Sequence, residues 1–188
     1  MSAVIVDPAP ASYDAIVAAA AIQGFRLEQI WITHSHWDHI ADTSRFKKAL
    51  NIPIYIHEED RGNLINPGSD GITCMNIIEG VKPDYLIADG DRLAVGNIEF
   101  KVIHTPGHSP GGVCFYSPSE KVLISGDTLF RGTFGTLEAP TAQPQRMWES
   151  LAKLALLPAE TKVYPGHGMW TTIGRETWLP NAQQLFGQ

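Results

Sequence analysis

Thr33-His34-Ser35-His36-Trp37-Asp38-His39 places four metal-competent side chains within six residues, straight after the apolar run Ile30-Trp31-Ile32. Imidazole nitrogen and carboxylate oxygen together suit zinc, iron or manganese. His34 and His36 lie two apart and can face one point, while Asp38 and His39, from the following turn, can face another. That is more ligands than one open tetrahedral site takes, so two adjacent divalent ions are the natural reading. Crowding ionisable groups without such compensation would cost stability.

Working outward, three later segments repeat the pattern of an apolar strand followed at once by a ligand. His108 lies in His104-Thr105-Pro106-Gly107-His108-Ser109-Pro110-Gly111-Gly112, after Phe100 to Ile103. Asp127 lies in Ser125-Gly126-Asp127-Thr128, after Val122 to Ile124, and His167 in Tyr164-Pro165-Gly166-His167-Gly168, after Lys162 to Tyr164. Each has glycine beside it, which lets backbone come close to a ligand. His57 and His104 are read as structural or supporting rather than ligating, because His57 opens a helix and His104 ends a strand.

Between these points short strands and helices alternate, with no repeat or linker. Val4-Ile5-Val6 reads as a strand, Asp14 to Gln23 as a helix with Ser12 as N-cap, Asp42 to Leu50 as a helix and Ile54 to Ile56 as a strand. Arg92 to Val95 and Ile98 to Ile103 flank a Gly96-Asn97 turn, and Val113 to Tyr116 and Val122 to Ser125 form a second hairpin. Gln145 to Leu156 is amphipathic, and Glu176 to Phe186 reads as a last helix interrupted by Pro180. Hairpins mixed with crossovers predict two sheets covered by helices.

Composition narrows the function classes. The 188 residues suit one domain spanning 1–188. Lys+Arg 14 against Asp+Glu 20 gives a net charge of −6. With no basic run, this argues against nucleic acid or an anionic membrane as partner and leaves a small-molecule substrate. The longest apolar stretch, Ala15 to Ile22, is too short to span a bilayer. No secretory signal is visible, and two cysteines, Cys74 and Cys114, fit a reducing cytoplasm. Nothing in the sequence fixes an oligomeric state.

The series His34, His36, Asp38, His39, His108, Asp127 and His167 resembles the metallo-β-lactamase superfamily. Thr105-Pro106-Gly107-His108-Ser109-Pro110-Gly111, Gly126-Asp127-Thr128-Leu129-Phe130 and Tyr164-Pro165-Gly166-His167-Gly168 are most similar to its glyoxalase II branch. The resemblance implies an α/β fold, a four-layer αββα sandwich. Relatives carry an earlier strand pair before the Val6-Asp7-Pro8 motif, so the first sheet is expected to be trimmed or the sequence to begin inside the fold. It also implies that His34, His36 and His108 hold one metal, Asp38, His39 and His167 a second, and that Asp127 bridges both, with zinc, iron or manganese as the ions.

The activity so implied is hydrolysis of acyl-thioesters such as S-lactoylglutathione by a metal-bridging hydroxide, with Asp38 as ligand and proton acceptor. A persulfide dioxygenase would use one iron on His34 or His36, His108 and Asp127. A lactonase or other ester hydrolase, and an oxygen-binding di-iron protein, are further alternatives. Departures from the pattern are Ile40-Ala41-Asp42 where relatives have a Gly-Gly pair, and Gly135-Thr136-Leu137-Glu138 where they have Gly-Arg-Ser/Thr-Asp. The glutathione-binding helical domain of two-domain relatives is absent from this sequence. Trp37, Phe130, Arg131 and Trp170, beside the ligands, are candidates for the pocket mouth, with Arg131 suited to a substrate carboxylate.

Overall fold

A computed structural model describes residues 1–187. Along the chain come β1 (Ser2–Val6), α1 (Tyr13–Gln23), β2 (Arg26–Trp31), α2 (Trp37–Ile40), α3 (Thr43–Leu50), β3 (Ile54–His57) and α4 (Arg61–Ile65). Then follow β4 (Tyr85–Ile87), β5 (Arg92–Val95), β6 (Ile98–His104), β7 (Val113–Ser117) and β8 (Val122–Gly126). The chain closes with α5 (Pro144–Ala155), β9 (Lys162–Pro165), β10 (Thr171–Thr172) and α6 (Ala182–Phe186).

The strands form two sheets. One has the order β1-β2-β3-β4 and is parallel throughout. The other has the order β10-β9-β8-β7-β6-β5 and is antiparallel except where β8 meets β9. Parallel neighbours need crossovers and antiparallel ones need hairpins, which is why both kinds of connection are written in the sequence.

Three apolar clusters account for the layering. Trp31, Val102, Val113 and Phe115 pack between the sheets. Ile5, Ile30, Ile32, Phe46 and Ile54 lie on the opposite face of the parallel sheet, together with Ile16 and Val17 of α1. Cys114, Leu123, Val163, Met147, Leu151 and Leu154 join the second sheet to α5. The alternation along β7 and β8 makes this two-sided burial feasible: Leu123 faces α5, while Val122 and Ile124 face the other sheet. The result is the expected αββα order.

Several local expectations change. Ser12 precedes α1 without a side-chain cap bond; the Tyr13 amide donates instead to Asp42 Oδ2 at 2.9 Å. Over Glu176 to Phe186 the expected Pro180-interrupted helix is one short 3₁₀ turn, Leu179–Asn181, followed by α6, with another 3₁₀ turn, Ile173–Arg175, just before it. Pro180 has no amide to donate and its ring blocks a continuous α-helix. The helix expected to open at His57 begins one residue later: His57 ends β3, and its Nδ1 accepts from the Glu59 amide that starts the next turn. The strands β4 and β10, three and two residues long, carry too little periodicity to be read in advance.

Candidate metal centre

The seven candidate ligands converge at one edge of the sandwich, from loops that leave both sheets. His34 and His36 lie between β2 and α2, and Asp38 and His39 in α2 itself. His108 comes from the β6–β7 connection, Asp127 directly after β8 and His167 two residues after β9.

One group is His34, His36 and His108, all buried and with ligand atoms within 4.8 Å of one another. Their Nε2 atoms have no hydrogen-bond partner, and Asp127 Oδ1 has none either. A buried polar atom left unpaired costs about 1–3 kcal/mol, so three imidazoles aimed at one point need a shared occupant. The second group is Asp38, His39 and His167. His167 Nε2 stands 3.1 Å from Asp38 Oδ2 and 3.2 Å from His39 Nε2. Asp127 lies between the groups: Oδ1 is 3.4 Å from His39 Nε2, and Oδ2 is 3.5 Å from both His108 Nε2 and His167 Nε2. Ligands on a tetrahedral ion with ~2.1 Å bonds are spaced at about 3.4 Å, so the donor set fits divalent metal ions.

Electrostatics point the same way. Burial depresses the His34 imidazole well below its ordinary value, reinforced by His39 and His36, and brings His36 to about 3. Both are therefore neutral lone-pair donors across the physiological range. His39 is raised to about 9: burial opposes the charge, but the hydrogen bond its Nδ1 donates to Asp7, with the charges of Asp7, Asp127 and Asp38, outweighs it. Burial lifts the Asp127 carboxyl, partly offset by His39 and His108. A dication is the obvious counter-charge for such a set.

The supporting residues were mostly invisible in the sequence. Asp7, named there only as part of the Val6-Asp7-Pro8 motif, accepts from the Thr33 amide at 2.7 Å and stands 3.0 Å from His39 Nδ1, leaving Nε2 for the centre. His108 Nδ1 donates to Thr136 O at 2.8 Å with the same effect. Asp60, 2% exposed, accepts from the Ser35 amide through Oδ2 and from the Gly111 amide through Oδ1, each at 2.7 Å. One carboxylate thus ties the His34–His36 loop to the His108 loop. Gly166 fills a place no side chain fits, since a Cβ would lie 2.3 Å from Asp127 Oδ1 and 2.7 Å from His39 Cε1.

A cavity of about 440 Å³ opens over the ligands, lined by Trp37, Phe130, Ile72 and Thr136 as well as His36, Asp38, His108, Asp127 and His167. Trp37 and Phe130 therefore stand in the wall. Arg131 and Trp170 do not. Arg131 is exposed, with Met169 Sδ 3.9 Å from Nη1, and Trp170 is 45% exposed beneath the Arg175 guanidinium. The turn held by the Phe130–Thr133 bridge aims successive side chains apart, so sequence adjacency to a ligand did not give direction. Buried Glu176 accepts from the Gly132 amide at 2.7 Å and fixes that turn. His57 and His104 stack on each other at 4.0 Å, away from the centre, and His104 Nε2 donates to Pro110 O in the His108 loop.

The family model of the metallo-beta-lactamase superfamily matches residues 1–167. A hydroxyacylglutathione hydrolase of Rhizobium etli is 39% identical over 153 residues, covering 81% of this chain and 52% of that protein. The chain thus spans about half the length of that relative. Among solved structures, BLEG-1, titled a B3 metallo-beta-lactamase, superposes with a TM-score of 0.85 at 36% identity, over 93% of this chain and 85% of the other. TTHA1623, solved in a di-iron-bound form, gives 0.78 at 37% identity, over 90% and 84%. The chain belongs to the metallo-beta-lactamase superfamily.

Proposed function

We propose that the protein is a metal-dependent hydrolase of acyl-thioesters. The observation that carries this reading is the convergence of three partnerless imidazole nitrogens and a second Asp-His-His group on either side of Asp127. His34, His36 and His108 would hold one divalent ion and Asp38, His39 and His167 the other, with Asp127 shared. Bound there, two such ions supply hydroxide at neutral pH and polarise a carbonyl. Zinc is the metal we favour. The iron in one similar structure makes iron the competitor, with manganese behind it.

The chain's own residues do the rest. Asp38, partly exposed at the cavity floor, orients the attacking water and takes its proton on a carboxylate oxygen. Trp37, Phe130 and Ile72 wall the cavity and exclude bulk water from the scissile bond. Among the described residues, Asp38 and Asp127 are the acids that line this cavity. That suits a thiolate leaving group, which departs without a strong general acid. The kinship with hydroxyacylglutathione hydrolase makes S-lactoylglutathione the first substrate to assay. The setting we favour is cytoplasmic, since Cys74 and Cys114 are both free thiols and no described helix is long and apolar enough to cross a membrane. A soluble small-molecule substrate, rather than nucleic acid or lipid surface, completes the reading.

The test is elemental analysis of the purified protein beside thioester turnover. Two metal equivalents, with Asp127→Asn losing both metal and activity, are expected. One iron with oxygen uptake on glutathione persulfide would instead establish a dioxygenase. Two metals with turnover of lactones or oxygen esters alone would establish the ester-hydrolase alternative.

A further inference from the structure

A second, smaller space borders the ligand His36. This pocket of about 160 Å³ is built from segments between Ser35 and Thr141: the His34–His36 loop, the turns around Asp60 and Asp70, the His108 loop and the approach to α5. Apart from Gly62 and Pro110, every residue in its lining carries a polar side chain, and three of them are the acids Glu59, Asp60 and Asp70. Among the described residues no lysine or arginine lines it. His36 also borders the larger cavity, so the two spaces adjoin.

Hydrogen bonds hold this pocket in shape. Asn63 in α4 accepts from the Gly68 amide and donates to Asp70 Oδ2, each at 2.9 Å, which holds the turn after α4 against the pocket. Asp70 Oδ1 accepts from the Ile72 amide at 2.9 Å, and Asp60 accepts from the Ser35 and Gly111 amides. These bonds satisfy the oxygens but bring no formal positive charge, and a carboxylate as buried as Asp60 is costly without one. Glu59 differs, with Arg146 Nη1 3.6 Å and His104 Nε2 3.5 Å from its Oε2. Two buried hydroxyl oxygens in the lining, Ser109 Oγ and Thr141 Oγ1, have no hydrogen-bond partner. Carboxylates short of a cation beside hydroxyls short of a partner suit a charged donor, the ammonium group. A metal ion is the poorer occupant: among the described residues, the side chains close enough together to share one do not include Asp60 or Asp70.

We propose that this pocket binds a primary ammonium group on the acyl half of the substrate, which makes the substrate an aminoacyl thioester. The inference rests on the hydrolytic reading above and names its substrate class. Size sorts the two halves: a short aminoalkyl chain suits about 160 Å³, while the thiol half takes the cavity of about 440 Å³ walled by Trp37, Phe130 and Ile72. With the carbonyl beside His36, the ammonium group finds acceptors in Asp70, Ser109 and Thr141. Water adds to the acyl carbon, the C–S bond breaks, and the products are the free amino acid and the thiol, which takes the remaining proton. The ammonium group keeps its own protons throughout.

The experiment uses the zinc-loaded protein and N-acetylcysteamine thioesters in isosteric pairs: glycyl with propionyl, β-alanyl with butyryl, and 6-aminohexanoyl with heptanoyl. At least one amino member should exceed its partner in kcat/KM by about 10- to 100-fold, the worth of a charge-assisted hydrogen bond. Asp70→Asn should bring that ratio close to one at unchanged metal content; because the ratio is taken within one protein, a general loss of activity cancels. Should Asp70→Asn fail to fold, Thr141→Val, which removes a partnerless hydroxyl at similar volume, should lower the ratio instead. Ratios near one in the parent protein, or a preference untouched by both variants, would overturn the pocket while leaving thioester hydrolysis standing. If no thioester turns over, the hydrolytic reading fails, and calorimetry with glycine, β-alanine and 6-aminohexanoate against propionate, butyrate and heptanoate decides the pocket. Tighter binding of an amino acid that Asp70→Asn removes sustains an ammonium site; equal binding within each pair overturns it. A third, hard ion such as calcium in the purified protein, lost in Asp70→Asn, would assign the pocket to a metal and also overturn it.

Discussion

His36 shows how burial prepares a ligand. Its imidazole is brought to about 3 by burial and by neighbouring His108 and His39, so the folded chain refuses a proton that the unfolded chain accepts below its ordinary 6.5. A depressed histidine value means stability that is present above 6.5 and lost as the pH falls toward 3. In metal-free protein, stability should fall with acid by about 1.4 kcal/mol per pH unit from this residue. His36→Gln should abolish that increment, so the variant loses about 2 kcal/mol less between pH 6.5 and 5 in urea melts. An identical acid slope in both proteins would show that His36 is solvated. His39 runs the other way: raised to about 9, its contribution is complete below 6.5 and lost as the pH climbs through 9. At this scale the sequence was legible where chemistry is local, as in His34 to His39. Asp7 was not, because its role is defined by contacts 26 and 32 positions away.

At the scale of elements, the residue that organises the centre is Asp60, which leads from the turn after β3 into α4. It binds the backbone on both sides of the inter-sheet seam, and Asn63 in α4 adds a bond from Nδ2 to Ser35 O. Gly111 is required opposite it, since a Cβ there would lie 2.6 Å from the Asp60 amide nitrogen. Asp60→Asn keeps the volume but presents an amide donor to one of two backbone donors. Zinc affinity, read by competition with a chromogenic chelator, should fall about 10- to 100-fold with the secondary structure intact. Unchanged affinity would reduce Asp60 to a packing role. The strands and hairpins were legible because their periodicity and turn residues are short-range. The clasp was not, since a lone acid in Glu58-Glu59-Asp60 looks like an exposed charge run until the fold buries it. Arg131, whose chemistry suited a substrate, stands exposed on the turn after Phe130, beside Met169.

Across the whole molecule, ligand occupancy and stability should be one measurement. A ligand that binds only the folded chain adds about 2.7 kcal/mol per site at 100 times its Kd. For a chain of this length that is roughly 5–11 °C per site in Tm. Titrating zinc into chelator-treated protein should raise the thermal midpoint by at least that much, saturating at two equivalents. A midpoint indifferent to metal would remove the two-ion reading. The two-sheet architecture was legible from the mix of hairpins and crossovers. The two-residue β10 was not, because it pairs only through Thr171 and Thr172.

His39 and His167 stand 3.2 Å apart in space and 128 positions apart in the chain. The parallel sheet contributes His34 through His39, and the other sheet contributes His108, Asp127 and His167. Among the described residues Cys74 and Cys114 are free and no disulfide is formed. Ions shared across that seam would serve as cross-links, closing long loops in polymer terms and restricting the unfolded ensemble much as a covalent bridge does. A centre of this kind would thus be the chain's substitute for disulfides, and stripping it would free the two sheets to part along the seam before either one frays.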